Sequence, residues 1–216
     1  MPAHCGQPEV KRYDVVIATD LKLPGGTTAS VAEEVRAQAS AGYRTGLVHV
    51  PSPLSLGIGG LNPRIAAVLA TGAADLLARD ASAHARLVVF RHPGVFAQVP
   101  PAWPRLTADA AVVVVNQPPV DESGAGRFYA LDEVEAVVAR LAGIPSGWIP
   151  IGPLVREAVM RDRPDLTMVD WDWTNVLHPD EWAVDRPPLE GRKPVIGRHS
   201  RPQLSLIHIS EPTRPY

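Results

Sequence analysis

Cysteine is almost missing from this chain, because Cys5 is its only example. One thiol cannot build a disulfide framework or a cysteine-based metal site, so neither organises the fold. The chain also lacks an apolar run of transmembrane length and the apolar region of a signal peptide. We therefore expect a cytoplasmic protein without a transmembrane segment.

A strong excess of charge of either sign is absent as well. The formal net charge is −2, and 45% of the residues are hydrophobic and 20% charged, as in ordinary globular proteins. This balance gives no reason to expect nucleic acid or an anionic membrane as a partner. The residue in excess is proline, whose 23 copies are about twice the usual share of roughly 5%.

Three common active-site motifs are also absent. A dinucleotide site would need G-x-G-x-x-G after the first strand and an acidic residue after the second. This chain has Leu23-Pro24-Gly25-Gly26 at the first place and Val50-Pro51 at the second, which argues against NAD or FAD. No G-x-x-x-x-G-K-[ST] stretch exists, so a P-loop is excluded, and no G-x-S-x-G stretch supports a hydrolase.

What the chain does have is a repeated alternation of apolar strands and amphipathic helices. The aliphatic run Ala111–Val115 is typical of a strand buried on both faces. The spacing of Ser30 and Glu33 predicts a capping box at the start of the first helix, which Gly42 ends. The alternation predicts an α/β fold with a Rossmann-like doubly wound parallel sheet. Predicted strands lie at 15–18, 45–50, 86–90, 111–115 and 147–150, and helices at 30–41, 63–69, 131–141 and 153–161.

The composition also predicts a domain organisation. Residues 1–12 are a loose polar leader, and residues 13–162 form the Rossmann-like domain. Residues 163–192 are irregular and rich in tryptophan and proline, and we interpret Trp171, Trp173 and Trp182 as packing residues, with sugar stacking as the alternative. Residues 193–203 contain a new strand, surrounded by basic residues that include Arg198.

Ligands of parallel α/β sheets bind at the carboxyl ends of the strands. The loops at 20–30, 49–55, 91–94 and 116–118 each follow a predicted strand, so we expect them to share one rim. Gly25 and Gly26 lead into the first helix, where free backbone N–H groups and the positive end of the helix dipole suit a phosphate or a sugar.

Other residues of this rim are open to two readings. His92 is a candidate functional residue or a solvated rim residue, and its neighbour Arg91 is expected to face the same cleft. Asn116 ends the valine-rich strand and could bond either backbone or a ligand. Arg198 follows the last predicted strand, where it is either part of a solvated basic run or half of an anion site.

Five stretches together resemble a known family. They are Pro24–Thr28, Ser30–Gly46, Leu87–Pro93, Val112–Pro119 and Pro194–Ser200. In order and spacing they resemble the N-terminal half of a bacterial GT-B glycosyltransferase of the retaining, family-4/family-1-like type. Such enzymes have two Rossmann-like domains that face each other across a cleft, and the N-terminal domain mainly binds the acceptor.

The resemblance implies a role for several residues. Gly25 and Gly26 would approach the diphosphate and sugar of a nucleotide-sugar donor, and His92 would be a catalytic residue near the transferred sugar. Arg198 would bind the donor diphosphate. Thr27, Arg91 and Asn116 would line the cleft rim. No metal and no cofactor are implied, because the nucleotide sugar is a substrate.

The resemblance also implies that residues 163–192 are an inter-domain segment, that residues 193–203 are the start of a truncated donor domain, and that part of the catalytic machinery lies outside the chain. The lysine and the E-x₇-E motif of the family's donor domain would fall beyond Gln203. We therefore expect a parent enzyme that transfers a sugar to an acceptor hydroxyl, and a truncated chain that is inactive alone. The alternative is a stand-alone Rossmann-like module that binds a phosphorylated small molecule.

The last thirteen residues resemble something other than a protein family. Leu204–Tyr216 reads like the translation of a sequencing adapter used at transposon ends. We therefore expect this tail to be artefactual and the natural sequence to have been cut near Gln203. His208 carries no functional weight in this interpretation.

Overall fold

A computed structural model describes residues 10–121 and 124–183 of the chain. Several sequence predictions lie outside these residues: Cys5, most of the leader, the strand at 193–197 with Arg198 in the predicted start of a donor domain at 193–203, and the tail at 204–216. The described residues up to His178 form one compact unit. A second unit begins at Pro179, and its described part contains the single-turn helix α5, Pro179–Trp182.

The first unit alternates strands with helices, as the sequence predicts. Of the helices, α2 begins at Pro63 behind the side chain of Asn62, which accepts a hydrogen bond from the Arg64 N–H, and α3 ends at Gly143 in the left-handed conformation. The strands are β1 Lys11–Thr19, β2 Thr45–His49, β3 Asp75–Leu76, β4 Ser82–Arg91, β5 Arg105–Val115 and β6 Gly147–Pro150; the helices are α1 Gly26–Ser40, α2 Pro63–Ala70, α3 Leu131–Ala142 and α4 Pro153–Asp162.

The six strands form one all-parallel sheet in the order β3-β2-β1-β4-β5-β6. This order confirms the predicted α/β, Rossmann-like doubly wound fold. Val16 of β1 pairs with Gly46 on one side and with Val88 on the other. The winding reverses between β1 and β4, so the carboxyl ends of these two strands flank the crevice where such sheets bind ligands.

Side chains alternate between two buried layers because both faces of the sheet are covered. Ile17, Leu47, Val89 and Val114 pack in the layer that contains α1 and α2 residues. The neighbouring strand residues pack with the apolar face of α3, where Val134 and Val138 are fully buried. Successive residues of a central strand face one buried layer and then the other, so nearly every position needs an apolar side chain.

The first helix begins earlier than the sequence predicts. It starts at Gly26 behind Gly25, whereas the predicted capping box placed its start at Ser30. That prediction is wrong because Ser30 lies inside the helix, where its hydroxyl accepts a hydrogen bond from Arg91 and donates one to Asn175. The Glu33 carboxylate likewise bonds Arg64 rather than the backbone of a cap.

Residues 163–178 continue along the sheet of the first unit. Met168 forms a parallel bridge with Trp148 beside β6. Arg156 of α4 holds the next residues by bonds to the Asp172 carboxylate, 2.6 and 3.0 Å long, and to two main-chain carbonyls. Trp173 then packs in the α1 layer, and Trp171, 54% exposed, stacks against it with ring centroids 6.0 Å apart.

No helix within residues 10–121 and 124–183 has both the length and the hydropathy needed to cross a membrane.

Candidate functional site

The candidate site lies at the carboxyl ends of β1, β4 and β5, around the crevice between β1 and β4. Three of the sequence-predicted rim residues meet there. The Asn116 side chain accepts a hydrogen bond from the His92 N–H at 3.0 Å and donates one to the Thr27 hydroxyl at 3.3 Å. The first turn of α1 and the segments that follow β4 and β5 are thus joined by one carboxamide.

Gly25 and Gly26 form the entrance to α1 at this edge. Gly25 has φ 135° and ψ −154°, a conformation that is essentially restricted to glycine. The Thr28 hydroxyl fixes the turn by donating to the carbonyls of Leu23, at 2.7 Å, and Gly25, at 3.1 Å. A Cβ on Gly26 would meet no atom within 4 Å, so its backbone is open to approach.

The first turn of α1 presents backbone donors. The first intrahelical acceptor is the Gly25 carbonyl, which bonds the Ala29 N–H. The N–H groups of Gly26, Thr27 and Thr28 precede that bond and have no acceptor within the helix. Together with the helix dipole, they favour a negatively charged or oxygen-rich ligand.

His92 has a strained backbone at the end of β4. Its φ of 68° and ψ of 87° make it the one residue other than glycine with positive φ among the described residues. Such a conformation costs about 1–3 kcal/mol and persists only where the surroundings enforce it. Here the bond from its N–H to Asn116 contributes to that enforcement.

The His92 imidazole is partly buried and has an unused polar atom. Its Nδ1 has no hydrogen-bond partner within the described part of the chain. Burial lowers the pKa of this imidazole, and the negative charge of Asp20 opposes the shift. The lowered pKa favours the neutral imidazole, which has one N–H donor and one acceptor nitrogen.

Sequence reasoning did not single out Asp20, although it lies at the centre of this edge. Its fully buried carboxylate accepts bonds from the Ser52 N–H, the Ser52 hydroxyl, the Ser55 hydroxyl and the Lys22 N–H at 2.5–3.1 Å. These bonds fasten the loop after β2 to the end of β1. The one available signal was an acidic residue directly after an aliphatic strand.

His49 lies beside Asp20, with 3.7 Å between its Nδ1 and the carboxylate. The same Nδ1 accepts the Leu21 N–H at 3.3 Å, so the ring proton is on Nε2 when His49 is neutral. Burial lowers the pKa of His49, and the charge of Asp20 opposes the shift. His49 thus holds the loop after β1 by accepting the hydrogen bond from the Leu21 N–H.

Arg91 does not line the rim with its side chain, contrary to the expectation from sequence. Its guanidinium is fully buried and donates to Glu34 at 2.8 Å and to Ser30 at 2.8 Å. Its Cζ lies 5.9 Å from the centroid of the Trp173 ring. Arg91 is the last residue of β4 and its side chain points toward α1, whereas His92 lies beyond the strand with a left-handed backbone.

The chemistry of this edge is that of a binding surface for a polar ligand. The first-turn N–H groups of α1, the Thr27 hydroxyl and His92 lie at the carboxyl ends of β1 and β4, where Asn116 links Thr27 to the His92 backbone. The described residues contain no group of three or more histidine, cysteine, aspartate or glutamate side chains arranged to hold a metal ion. No protein-family model, curated protein or solved structure matches this chain.

Proposed function

We propose that this chain is the acceptor-side part of a glycosyltransferase that moves a sugar from a nucleotide-sugar donor to an acceptor hydroxyl. The observation that carries the proposal is the convergence of the α1 N-terminus and His92 on the β1–β4 crevice, joined by Asn116. Free N–H groups suit a diphosphate, and a neutral imidazole suits a sugar hydroxyl.

The proposal assigns roles within the crevice. Gly25 and Gly26 let the backbone approach the donor diphosphate and sugar, and His92 contacts the transferred sugar. Sugar transfer also needs cations to stabilise the departing diphosphate. In the described loop between β1 and α1, Lys22 is the only lysine or arginine, and its ammonium group bonds the Ile58 carbonyl. We therefore propose that a second domain supplies the cations, and that the 216-residue chain alone transfers no sugar.

A titration of the full chain tests the binding part of this proposal. We expect UDP-glucose at millimolar concentration to shift the amide NMR signals of Gly26 and Thr27 weakly, because only one side of the donor is held. Gly26→Ala should reduce these shifts, since its new methyl group occupies the open approach to the backbone.

The matched control is Gly152→Ala, which adds a methyl group at the N-terminus of α4 where no atom lies within 4 Å. It should leave the titration unchanged. Tight, specific binding by the chain alone would instead support a stand-alone module for a phosphorylated ligand. The absence of any shift would contradict both functions.

Genomic sequence tests the second-domain part. Reading the parent gene past codon 203 should reveal another α/β domain with a lysine after the Gly197-Arg198 stretch and an E-x₇-E motif. A stop codon directly after codon 203 would refute the glycosyltransferase proposal.

A further inference from the structure

We propose that Asn116 is a positioning residue that sets the distance between the two sides of the crevice, by holding the His92 backbone and the first turn of α1 with one side chain. This inference rests on the proposed function only in taking the crevice as the ligand site. Its test does not need a sugar-transfer assay.

The first argument is the geometry of the carboxamide. Its oxygen accepts the His92 N–H at 3.0 Å, and its nitrogen donates to the Thr27 hydroxyl at 3.3 Å. Thr27 and His92 follow β1 and β4, the two strands that flank the crevice, whereas Asn116 follows β5. Any change in this side chain therefore acts on both sides of the crevice together.

The second argument is the conformation that the contact supports. His92 occupies the left-handed region of the backbone map without being a glycine. The ring consequently packs over Gly94, where its Cε1 and Nδ1 lie 3.5 Å from the position of an added Cβ. Without the bond between the His92 N–H and Asn116, the strained backbone can relax, and the ring can then leave this buried position.

The third argument is that no other asparagine side chain described here joins the crevice sides. Asn62 has a similar two-armed arrangement on the β1 side alone: its oxygen accepts the Arg64 N–H and its nitrogen donates to the Leu23 carbonyl, each at 3.0 Å. Asn62 caps α2 and makes no contact with His92 in these bonds. It is therefore a matched control for Asn116.

The test compares Asn116→Ala with Asn62→Ala in the full chain labelled with 15N-histidine. Each variant removes two hydrogen bonds, so both should lower the melting temperature. We expect only Asn116→Ala to raise the pKa of the His92 imidazole toward its ordinary value, because the ring leaves its buried position. Amide exchange at His92 should also become roughly fivefold faster, the factor for one ordinary hydrogen bond.

Thr27→Val separates the two arms, because it removes the partner of the carboxamide nitrogen and leaves the His92 bond intact. It should preserve the His92 titration while speeding exchange of the Ala29 N–H, which bonds the Gly25 carbonyl in the first turn of α1. The inference is overturned if Asn116→Ala leaves the His92 titration and exchange as in Asn62→Ala. If the pKa of His92 rises in Asn116→Ala as expected, but UDP-glucose binds neither the unsubstituted chain nor this variant, the positioning role stands and the proposed function fails.

Discussion

The buried ion pair between Arg91 and Glu34 offers the sharpest test of the packing beneath α1. The Arg91 side chain is fully buried and Glu34 is 5% exposed, and the two groups meet at 2.8 Å. Arg91→Met would leave the Glu34 carboxylate buried with Gln38 as a remaining hydrogen-bond donor. Removing one partner of a buried pair costs about 3–5 kcal/mol, since the other charge loses its compensation.

Urea unfolding followed by circular dichroism measures this cost as a change in the free energy of unfolding. The double variant Arg91→Met, Glu34→Leu should lose less stability than Arg91→Met alone, because neither charge is then left buried. Arg127→Met is the control: it breaks a bidentate pair with Asp162, but the arginine side chain is 49% exposed. Its effect should be far smaller.

The pH dependence gives a second signature of the same pair. Burial raises the pKa of Glu34, and the charge of Arg91 opposes the shift. Arg91→Met removes that opposition, so the folded-state pKa of Glu34 rises further above its unfolded value. The folded variant then binds more protons than the unfolded chain. The loss of unfolding free energy caused by Arg91→Met should therefore shrink as the pH falls toward 5. A loss equal to that of the control, or single losses that simply add in the double variant, would refute the reasoning.

Two further predictions concern the strands around the crevice. Gly46→Ala should lower the free energy of unfolding by about 1–3 kcal/mol in urea titration, because the added Cβ would lie 2.6 Å from Leu77 Cδ1; an unchanged midpoint would contradict this close packing. Because burial lowers the pKa of His49, the unfolded chain binds more protons below about pH 6.5, and stability should fall as the pH drops through that range. His49→Gln keeps an acceptor for Leu21 and should reduce the difference between unfolding free energies at pH 7.5 and 5.5, while an unaltered difference would count against His49 as its source.

Much of the fold could be predicted because its signals are local. The aliphatic run at Ala111–Val115 and the apolar stripe of α3 each report burial within a few residues, and both elements lie where the sequence predicts them. The alternation of these strands and helices along the chain was enough to predict the doubly wound α/β fold. Strand lengths were underestimated, since the first half of β4, from Ser82, has a mixed polar pattern.

The details of the site depended on contacts between distant residues. Ser30 resembles a helix cap locally, but its hydroxyl bonds Arg91 and Asn175, 61 and 145 residues away. Asp20 gains its importance from Ser52 and Ser55, more than 30 residues along the chain. No local pattern reports such pairs, so the sequence could name the rim loops but could not say which side chains face the crevice.

The two edge strands of the sheet, β3 and β6, have a consequence for self-association. An exposed edge strand offers unpaired N–H and C=O groups to any other extended chain, which is a common route to aggregation. Here β3 has two residues, Asp75 and Leu76, and the outer side of β6 is already bonded by the main chain around Met168. Within the described residues, neither edge of the sheet has a long row of unpaired backbone N–H and C=O groups. A strand of another chain could therefore form few hydrogen bonds with it.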